Sequence, residues 1–271
     1  MSSLLIVGGG KMGGALLGGL LRSGWAGASE LTVIEPVAER RDELAAEHPG
    51  LRTVAGPEPG LLDDAGERLG GAVLAVKPDA AEGACRALGV TGVTRLLSIV
   101  AGVPCLRLEA ALGGDPAVVR AMPNTPALVG AGVTAISGGS FATSGDLAWA
   151  QDVLSAVGTV VRLPERLLDA VTGLSGSGPA YFFLVAEALM EAGVQMGLNR
   201  EVSRTLVVET MLGSATLLKE TGSDPEALRA MVTSPAGTTA AGIRTLEARA
   251  VRSAFMEAVA AAVERSRSLQ R

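Results

Sequence analysis

The sequence contains few of the residue types that build metal sites, catalytic triads or base-stacking surfaces. Its 271 residues include one histidine, His48, and two cysteines, Cys85 and Cys105, which lack CxxC spacing. A histidine-based triad or a Cys/His metal site is therefore not expected. Two Trp, one Tyr and four Phe leave little surface for stacking bases. The net charge is −5 without a basic stripe, so no nucleic-acid partner is expected either.

Long hydrophobic runs are also missing, although the mean hydropathy is +0.38. The most apolar windows, Leu4–Val7, Leu96–Leu106 and Ala254–Val263, are short or interrupted by Gly, Ser, Pro or Glu. A membrane-spanning helix needs about 20 apolar residues, so none is expected. Met1–Ser3 lacks the basic region of a signal peptide. We therefore expect a cytoplasmic protein whose cysteines stay reduced.

Glycine, by contrast, is abundant, at 36 of 271 residues without a three-residue period. An apolar fraction of 48% against 19% charged residues predicts a folded chain with a sizeable core. Glycines in such a chain serve turns, close helix contacts, or backbone that lies against a ligand.

Up to residue 163, short apolar runs alternate with helical stretches. The predicted strands are Leu4–Val7, Leu31–Ile34, Ala72–Val76, Leu96–Val100, Val118–Ala121, Gly130–Ser137 and Val160–Leu163. The predicted helices are Met12–Arg22, Ala38–Glu47, Ala80–Leu88, Leu106–Leu112 and Ser144–Val157. This alternation indicates an α/β fold in which residues 1–163 form a dinucleotide-binding, Rossmann-type domain with a doubly wound parallel sheet.

After Pro164 only helical patterns remain, so we predict an all-α domain over residues 164–271. Its predicted helices are Arg166–Leu174, Pro179–Met196, Arg200–Glu220, Pro225–Val232, Thr239–Glu247 and Val251–Leu269. Asn199 and Asp224 precede two of them as N-caps. The helix Pro179–Met196 is apolar nearly all round, which indicates burial on all sides. We expect a tightly packed homodimer; a monomeric bundle packed on the sheet domain is the alternative.

The first predicted strand ends in Gly8-Gly9-Gly10-Lys11-Met12-Gly13, a GxGxxG that opens a helix. Gly8 permits a tight turn, Gly10 lets the backbone approach a pyrophosphate, and Gly13 allows close packing of helix on sheet. Unpaired N–H groups at the helix N-terminus favour the anion. In this context the motif predicts dinucleotide binding rather than a purely structural turn.

The second predicted strand ends at Glu35, where an acidic residue binds the adenosine ribose 2′-hydroxyl. A carboxylate there favours NADH and repels the 2′-phosphate of NADPH. Arg40 or Arg41 would attract that phosphate, but both are equally compatible with a solvated helix face. The sequence leaves the choice between NAD and NADP open.

Four further segments are candidates for ligand contact. Ala75-Val76-Lys77-Pro78 and Ala121–Pro126 close predicted strands, whose carboxyl ends line the crevice of an open α/β sheet. The alternative is that both are Pro-bounded loops without a chemical role. Thr172–Tyr181 and Ser234–Thr239 place small residues before helices, either as packing elbows or as N–H-rich sites for a small carboxylate.

These segments occur in the order and at the spacing of a known family. The chain resembles the pyrroline-5-carboxylate reductases over essentially its whole length, most specifically in the Leu-Ser-Gly-Ser-Gly-Pro-Ala-Tyr stretch from Leu174 and in the loop Ser234–Thr239. The resemblance implies reduction of 1-pyrroline-5-carboxylate to L-proline with NAD(P)H, the last step of proline biosynthesis. It also implies dimers through the helical domain, which often assemble into decamers.

The resemblance further implies the roles of individual residues. Thr239 is the catalytic residue, whose hydroxyl meets the nitrogen of the substrate ring. The implied substrate-binding residues are Glu165, Ser234, Gly237, Thr238 and Thr239. The expected cofactor-binding residues are Gly8, Gly10, Lys11, Met12, Gly13, Glu35, Ala75, Val76, Lys77, Pro78, Ala101 and Asn124. No metal is expected, because the carbon of an iminium is already electrophilic.

Four positions depart from the family pattern. Glu35, Gly56 and Met231 stand where relatives commonly have other polar residues near the cofactor, so the family's use of NADPH does not transfer directly. Ala236 replaces the usual first Gly of the substrate loop, and its methyl group is tolerable there if φ is negative.

Two rival functions are weaker. A β-hydroxyacid dehydrogenase shares the two-domain plan but needs a lysine general acid on the long helix entering the second domain, and Pro179–Met196 contains none. A non-catalytic dinucleotide sensor would account for Gly8–Gly13 but not for the loop Ser234–Thr239.

Overall fold

The computed structural model describes residues 4–62 and 70–269. Within them the chain divides into two compact units. The first extends to Ser177 and takes in the end of the chain from Ala262, and the second is Gly178–Ala261. The segment 164–177, which follows the last strand, therefore belongs by its contacts to the first unit.

The first unit is built around a sheet that contains eight strands in the described residues. They are β1 (Leu4–Val7), β2 (Leu31–Ile34), β3 (Arg52–Val54), β4 (Ala72–Leu74), β5 (Arg95–Ser98), β6 (Ala117–Met122), β7 (Gly132–Gly138) and β8 (Gly158–Arg162). Their order is β3-β2-β1-β4-β5-β6-β7-β8. The order reverses between β1 and β4, which is the position where open α/β sheets bind ligands.

One pairing departs from the parallel sheet that the sequence predicts. β6 and β7 are antiparallel, with Arg120 opposite Ser137, whereas the other neighbouring strands are parallel. Only residues 123–131 connect these two strands, and they include a short 3₁₀ helix, Thr125–Val129. A parallel crossover needs a dozen or more residues, so this chain segment can only reverse direction.

Helices cover both faces of the sheet. They are α1 (Lys11–Arg22), α2 (Ala38–Glu47), α3 (Ala81–Leu88), α4 (Cys105–Leu112) and α5 (Ser144–Ser155). The uninterrupted apolar run of β1 follows from this arrangement: Leu4 and Ile6 join one hydrophobic cluster, and Leu5 and Val7 join the other. Alternate side chains of a strand point to opposite faces, so a strand covered on both sides is apolar at every position.

The residues after β8 leave the sheet through three short helical turns. A 3₁₀ turn, Glu165–Leu167, leads into α6 (Leu168–Val171), and a π-helical turn, Thr172–Gly176, follows it. The sequence predicts one regular helix, Arg166–Leu174, across this stretch. π-helical turns are rare and occur frequently at functional sites.

The second unit consists of helices. They are α7 (Gly178–Gln195), α8 (Arg200–Thr221), α9 (Pro225–Met231), α10 (Thr238–Ala248) and the greater part of α11 (Val251–Ser268). Asn199 caps α8 as predicted, because its Oδ1 accepts a hydrogen bond from the Val202 backbone N–H at 2.8 Å. Phe182, Phe183 and Leu184 on α7 are about two-thirds exposed in the single chain. The apolar surface of α7 is therefore not buried within one chain.

The structure contains the predicted strands and helices, with ends that differ by a few residues, except in two places. The edge strand β3 was not predicted, because Arg52-Thr53-Val54 is partly exposed and has no apolar run. The helix Arg166–Leu174 is replaced by the three turns already described. Within residues 4–62 and 70–269, no helix is long and apolar enough to cross a membrane.

Candidate active site

A cavity of about 550 Å³ lies at the carboxyl ends of β1, β2, β3 and β4. The strand-end residues that line it are Val7, Gly8 and Gly10, then Ile34, Glu35 and Pro36, then Ala55, Gly56 and Pro57, and finally Ala75, Val76 and Lys77. α3 and the turn before it supply the rest of the wall. The volume is typical of a small-molecule or cofactor site, and the position is the switch point of the sheet.

The glycine-rich turn after β1 has the geometry of a cradle for a phosphate group. Gly8 has φ +106°, and a Cβ there would lie 2.7 Å from the Ala75 carbonyl oxygen. A Cβ on Gly13 would collide with the carbonyl oxygen of Gly8. A Cβ on Gly10, however, would meet nothing within 4 Å. Gly8 and Gly13 are thus required by the protein's own packing, whereas Gly10 keeps open the space where α1 begins.

The carboxylate of Glu35 is fixed at both oxygens. Its Oε2 accepts a hydrogen bond from the Gly9 N–H at 2.9 Å, and its Oε1 accepts one from the Val37 N–H at 3.0 Å. Glu35 is buried but lines the cavity. The side chain therefore holds the glycine-rich turn and presents a negative charge to the cavity at the same time.

The two arginines of α2 are bound to the protein. Arg40 donates from Nε to the Gly9 carbonyl at 2.8 Å and from Nη1 to Glu43 Oε2 at 2.7 Å. Arg41 donates from Nη1 to the carbonyls of Glu35 at 2.8 Å and Pro36 at 2.9 Å. Gly9 is thus held at its N–H by Glu35 and at its carbonyl by Arg40.

The structure brings together six of the twelve predicted cofactor residues around the cavity: Gly8, Gly10, Glu35, Ala75, Val76 and Lys77. Lys11, Met12 and Gly13 follow in the first turns of α1, and Pro78 opens the 3₁₀ turn after β4. Ala101 lies in the turn after β5, outside the cavity wall. For all twelve residues, contact with the cofactor stays a prediction.

Asn124, the last of these residues, has its side-chain amide occupied within the protein. Nδ2 donates to the Ser175 carbonyl at 3.2 Å, and Oδ1 accepts from the Val133 N–H at 3.0 Å. The amide joins the loop after β6 to the start of β7 and to the π-helical turn Thr172–Gly176. The Asn124 side chain therefore holds the backbone of Val133 and Ser175 in place.

Glu165, a predicted substrate residue, is likewise engaged within the first unit. Its Oε1 accepts from the Cys105 N–H at 2.9 Å, at the first residue of α4, and from Arg120 Nη1 at 3.0 Å. Arg120 is almost fully buried on β6, whereas the Glu165 side chain is 31% exposed. A carboxylate at a helix N-terminus is stabilised by the helix dipole. A contact between Glu165 and substrate stays a prediction.

The two cysteines are free and buried. Burial raises the pKa of the Cys105 thiol to about 12, and the charge of Glu165 adds to the effect. Burial likewise raises the pKa of Cys85 to about 11. Neither thiol forms an appreciable amount of thiolate near neutral pH, so neither is a nucleophile. Among the described residues no cluster of His, Cys, Asp or Glu could hold a metal ion.

The predicted substrate loop forms a tight turn in the second unit. The Gly237 N–H donates to the Ser234 carbonyl at 3.1 Å, and α10 begins at the next residue, Thr238. Gly237 is the N-cap and has no side chain to bond the first N–H groups of α10. Those N–H groups lack intrahelical partners, so the turn is suited to an anion such as a carboxylate.

Ala236 does not meet the condition of a negative φ under which its methyl group is tolerable. Ala236 has φ +58°, in the left-handed region. This conformation costs an L-residue roughly 1–2 kcal/mol, because Cβ approaches the following carbonyl oxygen. The turn Ser234–Gly237 therefore retains the backbone shape that favours glycine, although this chain places alanine there.

Sequence reasoning missed the contribution of β3 to the site. Ala55 and Pro57 line the cavity beside Gly56, which was noted only as a departure from the family pattern. A strand is required after the helix of a β-α-β unit, and this regularity could have located Arg52–Val54. No pattern in the sequence indicates the hydrogen bond from Arg40 to the Gly9 carbonyl.

Two family models match the chain. Residues 165–269 match the model described as pyrroline-5-carboxylate reductase dimerisation. Residues 3–102 match the model described as NADP oxidoreductase, coenzyme F420-dependent. The first match covers most of the helical part of the chain, and the second covers the strands and turns that line the cavity.

Full-length relatives bear the same name as the first of these models. The chain is 43% identical to a pyrroline-5-carboxylate reductase of Synechocystis over 265 residues, which cover 97% of each protein. It is 42% identical to that of Mycobacterium tuberculosis, with all of this chain and 97% of the relative covered.

Solved structures agree with these relatives. A pyrroline-5-carboxylate reductase of Coxiella burnetii superposes with a TM-score of 0.87 at 33% identity, covering 100% of this chain and 99% of that one. The pyrroline carboxylate reductase of Plasmodium falciparum, solved with NADP bound, has a TM-score of 0.83 at 30% identity and covers 99% and 98%.

Proposed function

The chain belongs to the pyrroline-5-carboxylate reductase family, and from that premise we propose how its residues carry out the reaction. The protein is an NAD(P)H-dependent oxidoreductase that reduces 1-pyrroline-5-carboxylate to L-proline, in the last step of proline biosynthesis. The observation that carries the assignment is the full-length match to relatives of this name. When bound, NAD(P)H supplies the hydride that reduces C5 of the ring.

The chain's own residues hold the dinucleotide in the cavity of the first unit. The backbone at Gly8 and Gly10 and the first N–H groups of α1 bind the pyrophosphate, because Gly10 leaves open space there. Glu35 bonds the adenosine ribose, and Ala75, Val76 and Lys77 contribute the wall beside it. Lys11, Met12, Gly13, Pro78, Ala101 and Asn124 complete the set by binding the cofactor or by supporting residues that do.

The turn before α10 binds the substrate. Backbone N–H groups around Ser234–Thr239 receive its carboxylate, since Gly237 leaves the first N–H groups of the helix without a side-chain cap. The Thr239 hydroxyl meets the ring nitrogen and accepts a hydrogen bond from its N–H in the protonated iminium, the form that takes the hydride at C5. Thr238 and Glu165 are the remaining substrate contacts. This chemistry consists mainly of positioning, because an iminium carbon needs little activation.

The protein is a homo-oligomer, and its building block is a homodimer formed by the helical part. The exposed apolar residues of α7 and the match of residues 165–269 to the dimerisation model support this. The same match begins at residue 165, which supports the predicted boundary between residues 163 and 164, whereas the contacts of residues 164–177 lie with the first unit. The protein acts in the cytoplasm as this homodimer or as a homodecamer of five such dimers, and sedimentation velocity on the full chain distinguishes the two.

The test of the function is oxidation of NADH and NADPH in the presence of 1-pyrroline-5-carboxylate, with L-proline measured as the product. Turnover with either coenzyme supports the proposal. Folded protein that binds a dinucleotide but forms no proline would contradict the proposal and favour the function of a non-catalytic dinucleotide sensor.

A further inference from the structure

The adenosine side of the cavity presents a fixed negative charge. Glu35 lines the cavity at the end of β2, whereas Arg40 and Arg41 are absent from its wall. Lys77 and Asp79 also line the cavity, on the segment after β4, and offset each other in charge. The net charge of the wall therefore comes from Glu35.

Glu35 cannot turn away from a ligand without losing bonds. One oxygen accepts the Gly9 N–H at 2.9 Å and the other accepts the Val37 N–H at 3.0 Å, and the residue is only 8% exposed. A carboxylate accepts about four hydrogen bonds, so each oxygen retains a position for a further donor. A ribose hydroxyl can donate to that position, whereas a phosphate group that is doubly negative near neutral pH has no proton to donate.

The two arginines of α2 are anchored to backbone carbonyls outside the cavity wall. The Arg40 Nε bonds the Gly9 carbonyl at 2.8 Å, and the Arg41 Nη1 bonds the carbonyls of Glu35 and Pro36 at 2.8 and 2.9 Å. Moving either guanidinium into the cavity toward a 2′-phosphate would break contacts that shape the glycine-rich turn or the end of β2. On the third strand, Gly56 and its neighbours Ala55 and Pro57 have no side-chain donor to offer.

We propose that Glu35 determines the choice of coenzyme and that the enzyme prefers NADH to NADPH. The inference rests on the proposed function only in taking a nicotinamide dinucleotide as the ligand. The 2′-hydroxyl of NADH donates to the Glu35 carboxylate, and the 2′-phosphate of NADPH is repelled by it.

A binding experiment tests this without turnover. Isothermal titration of the full chain with ADP-ribose and with 2′-phospho-ADP-ribose should give a dissociation constant at least tenfold lower for ADP-ribose. Glu35→Gln and Glu35→Ser should each shift the ratio at least tenfold toward the phosphorylated ligand. Glu39→Gln is the matched control, because it removes an equal charge from an exposed position on α2 outside the cavity wall, and it should leave the ratio unchanged.

Three results would overturn the proposal. The first is that the unsubstituted chain binds 2′-phospho-ADP-ribose as tightly as ADP-ribose or more tightly. The second is that the ratio of the two dissociation constants is unchanged in whichever Glu35 variant folds, and the third is that 2′-phospho-ADP-ribose binding is lost in Arg41→Ala but not in Glu35→Ser. Turnover is then measured separately with both coenzymes. A tenfold binding preference without formation of proline supports the role of Glu35 while contradicting the proposed function, so the two failures are distinguishable.

Discussion

The Nδ2 group of Asn124 donates a hydrogen bond to the Ser175 carbonyl at 3.2 Å and so ties the loop after β6 to the π-helical turn. The end of β6 also packs closely against this turn, because a Cβ on Gly176 would lie 2.6 Å from Met122 Cε. The Asn124 Oδ1 in turn accepts from the N–H of Val133 at 3.0 Å. One side chain thus connects the loop after β6, the start of β7 and the π-helical turn.

Asn124→Ala is expected to lower kcat for 1-pyrroline-5-carboxylate about tenfold while leaving the dissociation constant of ADP-ribose within twofold. Asn124 is absent from the adenosine cavity but positions the loop and the turn. Loss of its two bonds should also lower the free energy of unfolding by about 1–3 kcal/mol. Asn199→Ala, which removes a helix N-cap in the second unit, costs about 1 kcal/mol and serves as the control. Equal kcat in the two variants would leave Asn124 with a purely structural role.

Ala236→Gly is expected to raise the free energy of unfolding by about 0.5–1 kcal/mol. Glycine relieves the left-handed strain of about 1–2 kcal/mol but gains freedom in the unfolded chain. Ala250→Gly is the matched control, because Ala250 has φ +55° outside the substrate loop. Urea unfolding should show the same gain in both variants. Only Ala236→Gly should raise KM for the substrate a few-fold, because its loop becomes less pre-organised; unchanged KM would separate the loop from substrate binding.

Gly10→Val and Gly13→Val are expected to fail in different ways. The side chain at position 10 enters open space, so the protein should fold with nearly unchanged stability but lose dinucleotide binding. At position 13 the Cβ collides with the Gly8 carbonyl, so the fold itself should be destabilised. Thermal unfolding and NADH fluorescence distinguish the two. Retained binding in folded Gly10→Val would remove that turn from the cofactor site.

Thr239→Val is expected to lower kcat/KM by roughly ten- to a hundredfold, which corresponds to about 1–3 kcal/mol for a hydrogen bond to a charged group. Thr239→Ser should restore most of the activity, since it retains the hydroxyl. Thr245→Ala, on the same helix, removes a hydroxyl that bonds only the Ala241 carbonyl at 3.2 Å and should leave kcat/KM unchanged. An unchanged kcat/KM in Thr239→Val would exclude Thr239 from the reaction.

Asp146→Asn is expected to make the free energy of unfolding depend less on pH at acidic pH. Burial alone would raise the pKa of Asp146, but hydrogen bonds from Thr143 and the charge of Arg95 outweigh it and lower the pKa below the usual 3.8. A lowered folded-state pKa adds stability above the unfolded value, and this contribution disappears as the pH falls through the folded one.

Urea unfolding between pH 5 and pH 2 checks this expectation. The free energy of unfolding of the unsubstituted chain should fall more steeply over that range than that of Asp146→Asn, which starts about 1–3 kcal/mol lower at pH 7. Asp42→Asn changes an exposed carboxylate on α2 and should not alter the stability at pH 7. Parallel curves for the unsubstituted chain and Asp146→Asn would contradict the role of the Thr143–Asp146–Arg95 contacts.

The sequence by itself determined the order of strands and helices from β1 to β8 except for β3, the glycine-rich turn, and the helical character of the chain after Pro164. These features depend on local chemistry. A strand buried on both faces must be apolar at each position, as in Leu4–Val7, and a turn with φ +106° needs glycine, as at Gly8. The family was also recognisable, because Leu174–Tyr181 and Ser234–Thr239 are short and contiguous.

The tertiary structure alone decided what several of these side chains bind. Glu35 bonds a backbone N–H 26 residues away, and Asn124 bonds a carbonyl 51 residues away. Neither partner is a side chain, so residue type gives no sign of the pairing. The left-handed φ of Ala236 and the antiparallel pairing of β6 with β7 likewise depend on how the chain closes around them. Local patterns specify elements, whereas contacts between distant backbone groups exist only once those elements have packed.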